Sequence, residues 1–128
     1  MVLGEIVLGK PLDRLEAETM LRRLSGRAHH VITAVALVGP ARIRRFSVVT
    51  EVRFRPLTDA QISWYAAEDE PYDKAGAYAI QGKGAVLIEG TEGSYTNVVG
   101  LPVSEVARLL EEEGLSPWPA GREGGNPR

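Results

Sequence analysis

Acidic, basic and amide side chains stand close together in residues 69–82, which read DEPYDKAGAYAIQG. Pro71 is favoured at a helix start and predicts that a helix begins there. Glu70 then lies at the mouth of this helix, with Asp73 and Lys74 in its first turns. The start of a helix presents unpaired N–H groups and a partial positive charge, whereas carboxylates bind Mg²⁺ through oxygen. The stretch therefore predicts a candidate site for an anion or a metal ion.

Small residues and one glutamine form the second half of the same stretch. Ala75, Gly76 and Ala77 allow a ligand or a neighbouring strand to approach the backbone closely. The Gln81 amide both donates and accepts hydrogen bonds, and a uracil or thymine ring offers an N–H flanked by two carbonyls. The alternative is structural: the acids favour the helix dipole, the small residues pack, and Gln81 faces water.

Two further places carry useful side chains. Lys10 follows a glycine at a predicted strand-to-helix junction, where an ammonium can pair with phosphate, although a solvated lysine is the simpler interpretation. His29 and His30 follow residues 25–27 (SGR), and the group could hold an anion or relay a proton. The alternative there is a helix C-cap followed by a strand. Neighbouring strand residues point to opposite faces, so the two histidines cannot both bind one metal ion.

Composition bounds the class of protein. The 128 residues fit one domain, and 44% hydrophobic with 25% charged residues is typical of globular proteins. The net charge of −2 gives no reason to expect a bulk electrostatic interaction with nucleic acid or an anionic membrane. The chain has no cysteine, which excludes disulfides and thiolate metal sites. No apolar run reaches the ~18 residues of a membrane span, and residues 1–10 lack the pattern of a signal peptide. We therefore expect a cytoplasmic protein.

Three helices are predicted from their termini, besides the one at Pro71. Capping boxes open the first two, at Asp13 with Glu16 and at Thr58 with Gln61. Pro102 begins the last helix, which has apolar residues on one face.

Strands are predicted between these helices. The apolar run at 31–38 is typical of a strand covered on both faces. Residues 46–54 alternate as a strand with one wet face, antiparallel to the first, and 85–88 predict a further strand. Alternating helices and strands predict an α/β domain with a mixed sheet. The tail at 116–128 is rich in Pro and Gly, which predicts disorder.

Taken together, four segments resemble the Maf family of nucleoside triphosphate pyrophosphatases. In order along the chain they are GEIVLGKP (4–11), MLRRLSGRAHHVITAVAL (20–37), EPYDKAGAYAIQGKGA (70–85) and GSYTNVVGLPVSEV (93–106). DKAGAY with IQG is similar to the branch of the family that acts on dTTP and UTP; the branch that acts on 7-methyl-GTP lacks that lysine and glutamine. Ala28 departs from the usual threonine of the family.

The resemblance implies a Maf/ITPase-like mixed, twisted sheet flanked by helices. It implies hydrolysis of a nucleoside triphosphate to its monophosphate and pyrophosphate with a divalent metal, Mg²⁺ or Mn²⁺. By position, Lys10 would bind phosphate and Gln81 would select the base. Glu70, Asp73 and Lys74 would line the cleft, with Glu70 as a metal ligand. We expect a homodimer, with a nucleoside triphosphate as partner and neither nucleic acid nor membrane.

Two motifs of the family are not found in this sequence. They are a Ser-x-Ser-x-Arg-Arg loop and an Ala-Asp-Thr strand whose aspartate is the proposed general base, which would fall just before Met1. We therefore expect residues 1–115 to be the C-terminal part of one Maf-like domain that lacks its N-terminal strands, with no catalytic residue identifiable. The leading function is hydrolysis of dTTP and UTP. The alternatives are a catalytically inactive nucleotide-binding fragment and an interaction protein linked to septum formation.

Overall fold

The computed structural model describes residues 1–115, so the predicted disorder of residues 116–128 lies outside the described residues. One five-stranded sheet has the order β2-β1-β3-β4-β5. In chain order its strands are β1 (Val2–Leu3), β2 (Ile6–Val7), β3 (Ala28–Val38), β4 (Ile43–Phe54) and β5 (Ile88–Glu92). The helices are α1 (Arg14–Leu24), α2 (Asp59–Ala66), α3 (Tyr95–Val99) and α4 (Val103–Glu112). This arrangement confirms the α/β class.

Every strand pairing within residues 1–115 is antiparallel, so the expected mixture of parallel and antiparallel pairs does not occur in this part of the chain. The predicted antiparallel pairing of the two long strands is confirmed. Val38 pairs with Ile43 next to the turn, and Ala28 pairs with Arg53 at the far end. A short turn can join only antiparallel neighbours, which fixes this direction.

The prediction that β3 is covered on both faces is wrong. After the buried His29, its residues alternate between exposed and half-buried, and Ile32 and Val38 are 49% and 72% exposed. The apolar run reflects the preference of branched side chains for strands rather than burial on both sides. The alternation predicted for β4 is confirmed, because Val52 and Phe54 are buried while Arg53 between them is exposed.

The predicted caps open α1 and α2, with one correction. Thr58 and Gln61 form a complete capping box. Asp13 accepts a hydrogen bond from the Glu16 N–H at 2.8 Å, but the Glu16 carboxylate accepts from Leu12 N–H instead of returning to Asp13. The Glu16 carboxylate thus satisfies the Leu12 N–H ahead of the helix, while Asp13 still caps the first turn of α1.

The prediction of a helix that begins at Pro71 is wrong. Three short 3₁₀ turns replace it, at Glu70–Asp73, Ala75–Ala77 and Gly82–Leu87. The backbone of Gly76 and Ala77 is left-handed, with φ of 78° and 68°, which a right-handed helix cannot contain. The strand predicted at 85–88 is displaced towards the C-terminus. Residues 82–87 form the third 3₁₀ turn, so β5 begins only at Ile88.

The core is formed by buried side chains of the sheet, of α1 and α2, and of the 3₁₀ segment. They include Leu3, Leu21, Leu24, Val52, Phe54, Ile62, Tyr65 and Ala77. Arg14 of α1 donates to the carbonyl and hydroxyl of Ser63 in α2, which ties the two helices. Among residues 1–115, no helix has the length and apolar character needed to cross a membrane.

Two elements after the sheet complete the fold. The short helix α3, which the sequence did not predict, packs against β3 and β4. Its buried Asn97 donates to the carbonyls of Val31 and Val48 at 3.0 and 3.1 Å. The predicted last helix is observed as α4, and Glu112 and Glu113 at its end pair with arginines near the hairpin turn.

Candidate functional site

A cleft of about 150 Å³ opens beside the segment that the sequence singles out. Lys74, Ala75 and residues 78–81 contribute six of its lining residues. Four apolar side chains from other elements complete the lining: Met1, Val31, Val98 and Val99. The cleft therefore presents a mostly apolar surface with a few polar groups, the composition expected of a small-molecule site.

Lys74 and Gln81 are the two predicted site residues that the structure brings to this cleft. Both are exposed, and within residues 1–115 neither side chain makes a hydrogen bond or ion pair. The backbone at both positions is extended, with φ of −123° and −89°. The Lys74 ammonium and the Gln81 amide are therefore both available to bind a ligand in this cleft.

Lys10 and Asp73 are exposed but do not line the cleft. The segment of Lys10 is nevertheless tied to the site, because Gly76 N–H donates to the carbonyl of Gly9 at 2.9 Å. Gly76 has a φ of +78°, and a Cβ at this position would collide with the Met1 side chain. The left-handed backbone at this position therefore favours glycine beside Met1.

Glu70 lies outside the cleft lining, and its carboxylate is engaged by the protein. Oε1 accepts from the Tyr65 hydroxyl at 2.7 Å and from Gly84 N–H at 2.9 Å, and Oε2 accepts from Lys83 N–H at 3.1 Å. Burial opposes ionisation, but these hydrogen bonds outweigh it and hold the pKa of Glu70 below its ordinary value.

A metal held by the protein alone does not fit the described residues. Within residues 1–115, no three His, Asp or Glu side chains are grouped so that they could hold an ion. Glu70 uses both oxygens on hydrogen bonds to N–H and O–H groups. Its role as a metal ligand stays a prediction, and no chemical step is derived from it.

Tyr65 is a site residue that the sequence did not indicate. It is fully buried on α2, and its hydroxyl accepts from Ala79 N–H at 3.0 Å while it donates to Glu70. Burial raises the pKa of Tyr65, so the hydroxyl keeps its proton. No local pattern marks this tyrosine, because its partners lie 5 and 14 residues away.

His29 is fully buried, whereas its neighbour His30 is exposed, as expected for opposite faces of a strand. His29 Nε2 lies 2.7 Å from the hydroxyl of Tyr78, which lines the cleft. Burial, followed by repulsion from His30, lowers the pKa of His29 to about 4. Residues 25–27 form the helix end and the entry to β3, as in the structural alternative; Gly26 is left-handed, with a φ of +67°.

Comparison with known proteins identifies the relatives of this chain. The sequence model of the family described as Maf-like protein matches residues 1–113. A dTTP/UTP pyrophosphatase of Myxococcus xanthus is 55% identical over 121 residues, which cover 94% of this chain and 61% of that protein. Proteins of the same name from Aromatoleum aromaticum and Bacillus velezensis are 53% and 54% identical, covering 84% and 82% of this chain.

The chain spans between 52% and 61% of the length of these three relatives. The family model matches residues 1–113, and this range contains β1 to α4, the residues that line the cleft, and the Tyr65–Glu70 contact. The family match alone covers most of the chain. This chain therefore belongs to the Maf-like protein family.

Proposed function

We propose that this chain contributes the base-binding and phosphate-binding part of a pyrophosphatase acting on dTTP and UTP. The observation that carries the proposal is the cleft that Lys74 and Gln81 share, with both side chains free of protein partners within residues 1–115. The printed names of relatives about 50% identical to the chain support the choice of substrate.

In the proposed complex, the pyrimidine ring occupies the apolar part of the cleft and pairs with Gln81. An amide can present a donor and an acceptor together, matching the N–H and a carbonyl of uracil or thymine. Cytosine matches the same amide after half a turn, so neighbouring groups must fix its orientation. Lys74 and Lys10 provide positive charge for the phosphates, each as a point charge on a flexible stem.

The proposal includes a divalent metal, Mg²⁺ or Mn²⁺, that arrives with the triphosphate. Mg²⁺ commonly uses one or two carboxylates together with substrate phosphates instead of a cage made by the protein alone. Asp73, which is exposed beside Lys74, is the acidic residue offered for that contact. Glu70 could join it only by giving up hydrogen bonds that its carboxylate already accepts from Tyr65, Lys83 and Gly84. The metal supplies charge neutralisation at the phosphates when bound. We further propose a homodimer that works in the cytoplasm without nucleic acid or membrane partners.

The test compares Gln81→Ala with Lys10→Ala. Titration calorimetry gives the Kd of UTP, dTTP, CTP and GTP for the chain and for each variant. Gln81→Ala should weaken UTP and dTTP by about 1–3 kcal/mol, because polar groups of the base lose their partner, and should affect CTP and GTP less. Lys10→Ala should weaken all four by roughly 1.5–3 kcal/mol, because it removes a charge-assisted contact to phosphate.

Two results would contradict the proposal. A uniform loss for all four nucleotides in Gln81→Ala would mean that Gln81 does not read the base. A loss confined to one base in Lys10→Ala would remove the phosphate role of the lysine.

Binding without hydrolysis is a second candidate function for this chain. One observation favours it: the cleft-lining residues described here include no aspartate or glutamate that could activate water. A positioned general base contributes roughly 10²–10⁴-fold to a rate. Measuring pyrophosphate release from dTTP by the purified chain separates the two functions. Robust release would show hydrolysis, whereas tight binding of dTTP without release would show binding alone.

A further inference from the structure

We propose that Tyr65 and Glu70 are positioning residues that clamp the Gln81 segment at both ends, and thereby set how the Gln81 amide faces the base. The inference deepens the proposed function and rests on it. It gives Glu70 a role in base selection that differs from metal binding.

On the N-terminal side, the clamp is the Tyr65 hydroxyl. Its oxygen accepts from Ala79 N–H at 3.0 Å, and its proton is donated to Glu70 Oε1 at 2.7 Å. Tyr65 is fully buried on α2, so the ring cannot move without disturbing the core. Ala79 is itself part of the cleft lining. The start of the Gln81 segment is therefore fixed to a rigid helix.

On the C-terminal side, the clamp is the Glu70 carboxylate. It accepts from the N–H groups of Lys83 and Gly84, at 3.1 and 2.9 Å. Carboxylate bonds to backbone N–H groups are charge-assisted and stronger than neutral ones. Since Glu70 also receives the Tyr65 proton, one connected pair holds both ends of residues 79–84.

Two glycines show how closely the clamp surrounds this segment. A Cβ on Gly84 would collide with the carbonyl oxygen of Ala79 and lie 2.7 Å from the Tyr65 hydroxyl. A Cβ on Gly82 would lie 2.6 Å from Glu70 Oε2, and the φ of Gly82 is +80°. Only residues without a side chain fit at these two points.

The consequence for recognition follows from Gln81 itself. Its amide has no hydrogen-bond partner within residues 1–115, so no side-chain contact there fixes its direction. The position of its backbone, held by the clamp, is what limits where the amide can reach. A loosened segment would let the amide present either its oxygen or its NH₂ group to the base. The preference for uracil over cytosine would then fall, while the affinity for the phosphates would change less.

The test uses Tyr65→Phe, Glu70→Gln and the double variant in the full chain. Tyr65→Phe keeps the ring but removes the hydroxyl that hydrogen-bonds to Ala79 N–H and to the Glu70 carboxylate. Calorimetry measures the Kd of UTP and of CTP at a series of Mg²⁺ concentrations. We expect the preference for UTP over CTP to fall about tenfold in each single variant, and no further in the double variant, because both act on one unit.

Matched controls are available beside the clamp. Tyr72→Phe removes a hydroxyl that donates to the carbonyl of Ala66, and Glu68→Gln removes a carboxylate that pairs with the Lys83 ammonium at 2.7 Å. Neither side chain makes a hydrogen bond to the backbone of residues 79–84 in the described structure, so both controls should keep the preference for UTP. The metal dependence separates positioning from ligation: a Glu70 that ligates Mg²⁺ would shift the Mg²⁺ concentration needed for binding in Glu70→Gln but not in Tyr65→Phe.

Hydrogen exchange provides a readout that does not require nucleotide. The amides of Ala79, Lys83 and Gly84 should exchange faster in the clamp variants than in the controls. If the unmodified chain binds no nucleotide, the proposed function fails, while faster exchange would still establish the clamp. Equal weakening of UTP and CTP in both clamp variants, or a shifted Mg²⁺ requirement in Glu70→Gln alone, would overturn the role in base selection.

Discussion

Protonation of His29 should make the stability of this protein depend on pH in a weakly acidic range. The imidazole is fully buried beside Phe54 and Tyr78, with ring centroids 5.5 and 5.4 Å away. Within the described residues, Nδ1 has no hydrogen-bond partner. A charge on this ring would therefore be placed away from water, and burial lowers its pKa to about 4.

The sign and size of this pH effect on stability follow from the proton binding of His29 in the folded and unfolded chains. The unfolded imidazole has a pKa near 6.5, so between pH 6.5 and about 4 the unfolded state binds more protons than the folded state. Stability is thus fully present above pH 6.5 and is lost as the pH falls towards 4. Each pKa unit is worth about 1.4 kcal/mol, which gives about 2 kcal/mol between pH 7 and pH 5.

Urea unfolding at pH 7 and at pH 5 measures this loss. His29→Gln keeps a polar side chain near Tyr78 but cannot titrate, so its free energy of unfolding should change about 2 kcal/mol less between the two pH values. His30→Gln is the matched control, because His30 is exposed on the opposite face. An unchanged pH dependence in His29→Gln, or its disappearance in His30→Gln, would refute the reasoning.

Two further predictions concern packing and ion pairs. Gly84→Ala should lower the free energy of unfolding by more than about 2 kcal/mol, because its Cβ collides with the carbonyl of Ala79, whereas Gly90→Ala has open space and should stay within about 0.5 kcal/mol in urea titrations. Arg44→Gln should speed hydrogen exchange in α4 at low salt, because it breaks the ion pair with Glu113 at 2.6 Å, and the effect should shrink at high salt. Equal exchange rates in the two proteins at low salt would contradict it.

Local features of the fold could be predicted from the sequence, because short-range contacts decide them. The Thr58 capping box lies within four residues, and the hairpin between β3 and β4 follows from a short turn between two predicted strands. Lys74 and Gln81, which both belong to the family motif, line one cleft in the structure, while their binding roles stay predictions.

The 3₁₀ turns could not be predicted, because distant contacts decide them. The Tyr65 hydroxyl holds Ala79, and Glu70 holds Gly84, each 14 residues away along the chain. The acidic end of α4 shows the same limit: three glutamates oppose the helix dipole, yet Arg44 pairs with Glu113 from a position 69 residues earlier. Periodicity and capping signals contain no information about such partners.

The order of the strands has a consequence for how the protein folds. The hairpin of β3 and β4 needs only residues 28–54, and hairpins form within about 1–10 μs. Pairing of β5 with β4 must wait until the connection through residues 55–87 has closed, which costs chain entropy before any contact repays it. That connection contains both the cleft segment and its clamp. The sheet can therefore begin to form early, while the surface that recognises a ligand is assembled late.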